Sequence, residues 1–284
     1  MRNSSLECSI AMLACVCMAL CACTSPQQRV AAAVTQAHRL NDAVPLPHRI
    51  DETLTIASAY RVQTRVVNHE LTGELNRAQP AGFKAGLTSA AAQARFRASQ
   101  PVAGVLFSEG QRDPDATIRV ADWPGLNIET EVALRVGTPI RQRLNDIAEL
   151  RSHIDGVAPA IELPNLHYES PAELTAIDII ASNVGSATYI VGNFVSPDLR
   201  DPNEASPRLI CDDKELNRGQ ARDALGDQWQ AALWLVNTMI EQGWPIESGQ
   251  ILLTGALGRM IPATPGHCSA DYGTWGTIAL HIVP

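Results

Sequence analysis

Apolar positions recur along this chain with two different periods, and the change from one to the other divides it. From Gln27 to Leu40 the sequence is Ala-rich and helical in character, and Asn41 to Pro47 breaks it with two prolines. A second helix is expected after that break. Asp51 stands at its start as a candidate cap, and Ile56, Tyr60, Val67 and Leu71 recur at spacings that keep one side apolar, until Gly73 and the stretch containing Pro80 end it. From Gly82 onward the texture is of short runs rich in Val, Ile and Thr, separated by Gly, Pro and Asp, which reads as β-structure. One clear helix interrupts it, capped by Asp227, carrying Trp229, Leu233, Val236 and Ile240, and closed by Gly243 and Pro245. Strands are expected at Ile251 to Thr254 and at Thr277 to Val283, with a turn at Pro265-Gly266 between them. The pattern predicts a helical N-terminal layer over residues 24–80 and a β-rich body over 81–284, an α+β protein with no internal repeat.

The first 23 residues are of another kind. An apolar run of about 13 residues, Ile10 to Ala22, is too short to span a bilayer but suits the core of a signal peptide. Its end, Leu20-Cys21-Ala22-Cys23, resembles a bacterial lipobox, so Cys23 is the expected site of lipidation and the only expected tie to a membrane. The reading is an exported lipoprotein facing the periplasm; a start at Met18 would instead leave a cytoplasmic product. Five of the seven cysteines lie in this leader. Cys211 and Cys268 remain in the body, where they are either small buried hydrophobes or one disulfide.

Composition excludes several function classes. A chain of 284 residues with 45% hydrophobic positions builds its own core, and a net charge of −8 with no basic stripe argues against nucleic acid as a partner. There is no G-x-S-x-G elbow, no phosphate-binding Walker loop, no H-E-x-x-H, and no zinc spacing among the seven histidines.

What remains is carboxylates and one lysine. In Ile128-Glu129-Thr130-Glu131-Val132-Ala133-Leu134 the alternation places both glutamates on one face of a strand, either a wet face or a site. Glu162 lies inside the otherwise apolar Val157-Ala158-Pro159-Ala160-Ile161-Glu162-Leu163, where it either points to solvent from an edge or has a partner, since an isolated buried carboxylate is costly. Should the three converge at about 5 Å, each pair repels by roughly 3 kcal/mol at an effective dielectric near 20, on the order of 10 kcal/mol in all. Protons or a cation must cancel that. An all-oxygen donor set favours a hard divalent ion, Mg²⁺ or Mn²⁺. Lys84, in Gly82-Phe83-Lys84-Ala85-Gly86-Leu87-Thr88-Ser89, is either a solvated charge or a proton carrier beside such a cation.

These segments together carry a resemblance. Ala59-Tyr60-Arg61-Val62-Gln63, residues 82–89, Glu129-Thr130-Glu131, Pro159-Ala160-Ile161-Glu162 and Ile251-Leu252-Leu253-Thr254-Gly255-Ala256-Leu257 resemble, in order and separation, the bacterial 2-keto-4-pentenoate hydratase and 4-oxalocrotonate decarboxylase family of the fumarylacetoacetate hydrolase-like superfamily. The resemblance implies a β-rich fold with a helical N-terminal layer, a homo-oligomer, and a divalent metal on Glu129, Glu131 and Glu162. It implies a small 2-oxo acid substrate, Lys84 as the proton-moving residue, and Leu87, Asn183, Thr254 and Gly255 beside the substrate. The implied reaction is hydration of a 2-oxo-alkenoate or its 2-hydroxydienoate tautomer. The alternatives are decarboxylation or C–C hydrolysis of a 2-oxo or 1,3-dioxo acid, and, in another class, an exported protein that binds a small acid without turnover. The chain departs from the family at Gln100-Pro101-Val102-Ala103-Gly104, where many members carry an acid, and at Ser182-Asn183, usually Asp-Asn. The stretch from Glu162 to Asn183 is lengthened, and Asp227 stands where relatives often have His.

Overall fold

A computed structural model describes residues 25–72 and 79–284. The apolar run and cysteines of the leader, and Gly73, lie outside the described residues. Three helices come first: α1 (Pro26–Leu40), the single turn α2 (Pro47–Ile50) and α3 (Ile56–Thr72). The start of α3 differs from expectation. Thr55 and Ser58 cap it reciprocally, Thr55 N–H donating to Ser58 Oγ (2.7 Å) and Ser58 N–H to Thr55 Oγ1 (3.2 Å). Asp51 instead ends α2 and accepts from Thr53 N–H and Oγ1 (3.0 and 2.6 Å), because a carboxylate four residues upstream cannot reach the first free amides.

The body contains two sheets. Pro80 does not terminate the helical layer but opens β1 (Pro80–Gly86), an early start that a bulge between Pro80 and Gly82 permits. The short helix α4 (Ala90–Arg95) and β2 (Val102–Phe107) follow, then β3 (Gln111–Arg112), β4 (Thr117–Arg119) and β5 (Asn127–Val136). Next come α5 (Ile147–His153), β6 (Ile154–Leu163), α6 (Ala176–Ala181), β7 (Thr188–Val191), β8 (Arg208–Cys211) and β9 (Lys214–Arg218). The chain closes with α7 (Gln228–Glu241), β10 (Ile251–Leu253), β11 (Ile261–Pro262), β12 (Gly266–Asp271) and β13 (Thr277–Val283). Asp227 caps α7 as expected, accepting from Gln230 N–H at 2.9 Å. Gly266, expected in a turn, is the first residue of β12. Helices α4, α5 and α6 have six or seven residues each, too few for a 3.6-residue period to show in the sequence.

The larger sheet runs β2-β1-β10-β5-β6-β7-β3 with β11 on β5; the smaller runs β4-β13-β12-β8-β9. Neighbours are antiparallel except β1 with β10, β3 with β7 and β4 with β13. One apolar core joins the helices to both sheets, taking Val62 and Val66 from α3, Ile128, Val132 and Ile161 from β5 and β6, and Leu209, Ile278 and Leu280 from the smaller sheet. Cys211 and Cys268 sit directly opposite each other on β8 and β12 and form a disulfide. Among the described residues no helix is long and apolar enough to cross a membrane.

Candidate metal centre and cavity

The site is built on β5 and β6, the middle of the larger sheet. Both strands are buried on both sides. Ile128, Val132, Leu134, Val157 and Ile161 face the main core, while Ala133, Ala158 and Ala160 pack into a second apolar cluster with Leu106, Tyr189 and Leu253. That second cluster removes the wet face that the alternation of residues 128–134 left open. Pairing with β5 on one side and β7 on the other makes β6 an interior strand, so Glu162 does not reach solvent from an edge.

The antiparallel register puts Glu129 opposite Glu162 and Glu131 opposite Ala160. Directly opposed side chains have Cβ atoms about 5 Å apart, and residues two apart on one strand share a face, so all three carboxylates meet. Their nearest oxygens lie within 4.8 Å of one another. Glu131 and Glu162 are fully buried, and Glu129 is half-buried on the wall of a cavity.

Around them, the Lys84 ammonium from β1 pairs with Glu162 Oε1 and donates to the Val184 carbonyl at 3.0 Å. Gly255 N–H donates to Glu131 Oε2 at 2.9 Å. Gly255 must be glycine on two grounds: its φ is +108°, and a Cβ would lie 2.5 Å from Thr88. Tyr272, reaching in from the end of β12, shares its hydroxyl hydrogen between the carbonyls of Glu131 and Ala160, both at 2.7 Å, and so clamps the opposed pair.

Two carboxylate oxygens, Glu131 Oε1 and Glu162 Oε2, are buried with no hydrogen-bond partner. An orphaned buried acceptor is expensive, and here two belong to a cluster of three acids against one ammonium. The imbalance shows in the acidities. Burial, reinforced by Glu162 and opposed by Lys84, pushes the Glu129 carboxyl from 4.5 up to about 7. Burial together with Glu162 and Glu129 pushes Glu131 well above the usual carboxylate range, against the pull of Lys84 and the Gly255 amide. Hard oxygen donors, surplus negative charge and two free acceptor atoms are what a divalent cation requires, so the residues fit such an ion.

The other predicted residues separate into those at the cavity and those behind it. Leu87 lines the cavity, with a left-handed φ of 53° just after β1. Gly255 touches the cluster through its amide. Thr254 is fully buried, its hydroxyl directed to Val132 O (3.1 Å) and Gln228 Oε1, so it fastens β10 to β5 and α7. Asn183 is also buried, and its amide is used on backbone: Val105 N–H donates to Oδ1 (2.8 Å) and Nδ2 donates to Val105 O (3.0 Å). The bracing matters because Asn183, Val184 and Gly185 are left-handed in succession (φ 57°, 55° and 62°), a costly conformation for a β-branched valine. It is this turn that aims the Val184 carbonyl at Lys84.

The segment Ala59 to Gln63 has no contact with the cluster. Its Tyr60 hydroxyl accepts from Ala103 N–H (2.9 Å) and its Gln63 Nε2 donates to Ala103 O (2.8 Å), which pins β2 to α3. Residues 102–104, within the stretch where the family resemblance fails, belong to β2, with Gly104 opposite Lys84. Sequence reasoning missed Val184, which acts through its backbone, and Tyr272, which no local pattern connects to β5. It also missed Arg95 and Arg259 on the cavity rim; Arg259 lies two residues past the segment quoted above.

No protein-family model matches the chain. It is 31% identical over 186 residues to 2-keto-4-pentenoate hydratase 1 of Dechloromonas aromatica (strain RCB), covering 65% of this chain and 70% of that protein. It is 26% identical over 245 residues to the 2-keto-4-pentenoate hydratase of Paraburkholderia xenovorans (strain LB400), covering 85% and 90%. Among solved structures, 4-oxalocrotonate decarboxylase from Pseudomonas putida G7, complexed with magnesium and adipate, matches with a TM-score of 0.83 at 21% identity, over 90% of this chain and 96% of that one. At that identity the likeness is one of fold.

Proposed function

The chain belongs to the 2-keto-4-pentenoate hydratase family, and from that premise we propose that it is a metal-dependent hydro-lyase that adds water to a 2-oxo-alkenoate presented as its 2-hydroxydienoate. The observation that carries this reading is the meeting of Glu129, Glu131 and Glu162, with two orphaned oxygens, beside a cavity that Lys84 also lines.

Glu129, Glu131 and Glu162 would hold Mg²⁺ or Mn²⁺. The ion would supply Lewis-acid polarisation of the substrate's 2-oxygen and carboxylate, favouring the enolate form. The rest follows from the protein's own groups. Lys84 has its ammonium held by Glu162 and the Val184 carbonyl at the cavity floor, so it can deliver a proton to the dienol carbon chain and take one back from the 2-hydroxyl. The double bond then conjugated to the ketone accepts water at its far carbon. Apolar walls at Leu87, Phe96 and Leu166 keep bulk water off the head of the substrate.

Decarboxylation of a 4-oxalocrotonate-type acid is the second reading. It is favoured by the stretch Gln100 to Gly104, which holds no acid where the resemblance implies one in many relatives, since loss of CO₂ needs no activated water.

Export is supported by the disulfide, which suits an oxidising compartment, and by the apolar run before residue 24. Lipidation at Cys23 and homo-oligomer formation belong to the same proposal. The test of function is incubation of purified protein and Mg²⁺ or Mn²⁺ with 2-hydroxypenta-2,4-dienoate and with 4-oxalocrotonate, products being identified by NMR. Formation of 4-hydroxy-2-oxopentanoate from the dienoate supports the hydratase; CO₂ release from 4-oxalocrotonate alone supports the decarboxylase; conversion of neither overturns both.

A further inference from the structure

The smaller sheet has an outer face as well as a core face. On β12 and β13, Cys268, Ala270, Ile278, Leu280 and Ile282 are buried in the core, while His267 and His281 are exposed on the opposite side. The two histidines lie directly across the strand pair from each other.

Their backbone groups point away from that pair. His267 N–H donates to Asp212 Oδ1 and its carbonyl accepts from Asp212 N–H, both at 2.9 Å, whereas His281 N–H donates to Ala116 O at 2.9 Å. An opposed pair without hydrogen bonds of its own is the narrow kind, with Cα atoms about 4.5 Å apart and the closest approach of side chains. The imidazole rings accordingly meet, their centroids 4.7 Å apart and their planes inclined at 37°. His38 and His48 are tied to the carboxylates of Glu70 and Asp178. Among the described residues no hydrogen bond or ion pair engages the ring of His267 or of His281. Acidic charge stands at the same edge, because Asp212 and Asp213 form the turn between β8 and β9.

We infer that His267 and His281 form a two-histidine chelate for a late first-row dication, Cu²⁺, Ni²⁺ or Zn²⁺, which ties β12 to β13. Imidazole nitrogen suits these ions, with metal–nitrogen distances of about 2 Å, so the two donor atoms must stand about 3 Å apart. Exposed rings already in contact reach that separation by rotation about χ2, a broad torsion, while the paired strands hold the Cβ atoms in place. Water fills the remaining positions, and the neighbouring aspartates favour the positive ion. The donor atoms separate this site from the carboxylate cluster, whose oxygens suit Mg²⁺ or Mn²⁺.

The test uses the full chain with its leader thiols alkylated, in excess Mg²⁺, to which one equivalent of Cu²⁺ is added. Electron paramagnetic resonance reads the ligands directly, since each bound imidazole nitrogen splits the copper signal. The expected result is coupling to two nitrogens that is lost or halved in H267Q and in H281Q, with Cu²⁺ affinity lowered at least about tenfold in each. H69Q, at an exposed histidine of α3, should leave both unchanged. Zn²⁺ should raise Tm more in the unmodified protein than in H267Q/H281Q, because an ion bound only by the folded state stabilises it. Both side chains are exposed, so neither substitution disturbs the core. A copper signal without nitrogen coupling overturns the inference. So does two-nitrogen coupling that persists in H267Q/H281Q, or an effect confined to one of the two single variants.

Discussion

Glu129 on β5 lies directly across the strand pair from Glu162 on β6, two acids in a position where like charges destabilise a sheet. With Glu131, Lys84 and the two orphaned oxygens beside it, that opposition calls for protons or a cation to offset the charge, and the donor set fits a divalent ion. Replacing Glu131 or Glu162 by Gln should leave the protein folded and weaken Mn²⁺ binding by more than the roughly 10–100-fold that loss of an outer-shell partner costs. Calorimetric titration with Mn²⁺ checks this, and unchanged affinity would remove the triad.

The same opposition sets a pH dependence. In the metal-free protein Glu129 keeps its proton up to about pH 7, against 4.5 when unperturbed. The folded state therefore binds more protons than the unfolded chain between those values, and its stability falls as pH rises through them, by an amount on the order of 2–3 kcal/mol. Melting curves at pH 5.5 and 8 should show a lower Tm at the higher pH without metal. Saturating Mn²⁺ should reverse the order, because the ion binds the deprotonated carboxylates. E129Q should reduce the metal-free difference, the remainder belonging to Glu131, whose carboxyl is also pushed up by burial and by Glu162.

Lys84 has the buried Glu162 carboxylate as its partner, so Lys84→Met removes a proton carrier and strands a charge. The expected outcome is a loss of about 10²–10⁴-fold in kcat, alongside a drop in stability of about 3–5 kcal/mol. Circular dichroism first establishes that the variant is folded at the assay temperature; steady-state kinetics then decide. Borohydride added during turnover should trap no adduct on Lys84, since the proposed role is proton transfer and not imine formation.

Asn183 braces a turn that would otherwise relax. Asn183→Ala leaves the buried Val105 amide and carbonyl without partners, at about 1–3 kcal/mol each. It also frees the left-handed Val184 carbonyl that holds Lys84. Tm should fall, and kcat should fall with little change in the affinity for 2-oxo acids, because the amide makes no contact with the cavity. A raised Kd at unchanged kcat would instead assign Asn183 to substrate binding.

The Cys211–Cys268 bridge closes a span of 57 residues within the smaller sheet. Chain-entropy reasoning for that span gives about 4 kcal/mol, and measured values are usually about 2–4 kcal/mol. Urea unfolding of the C211S/C268S variant should show a loss in that range, with Mn²⁺ affinity retained, since neither cysteine touches the carboxylate cluster.

Local pattern determined a good deal of this protein. Apolar spacings located α3 and α7, Ala-rich composition located α1, the cap at Asp227 was legible from residue type alone, and the alternation from Ile128 to Leu134 put Glu129 and Glu131 on one face. These are properties of a few neighbouring residues and the pitch of the backbone. Partnership across space was not legible. Whether the face with Glu129 and Glu131 was wet depended on Ala158, Ala160, Tyr189 and Leu253, which belong to three other strands. That Glu162 stands opposite Glu129 depended on the β5/β6 register, and a slip of one residue would have turned it to the other face. Cys211 and Cys268 became a disulfide only when β8 was laid beside β12. Arg95 and Arg259, far apart in sequence, came to line one cavity only through the tertiary fold. A chain specifies local conformation through short-range sterics, whereas burial, charge neutrality and the convergence of side chains arise from long-range packing, so it was the tertiary structure that decided what surrounds the acids.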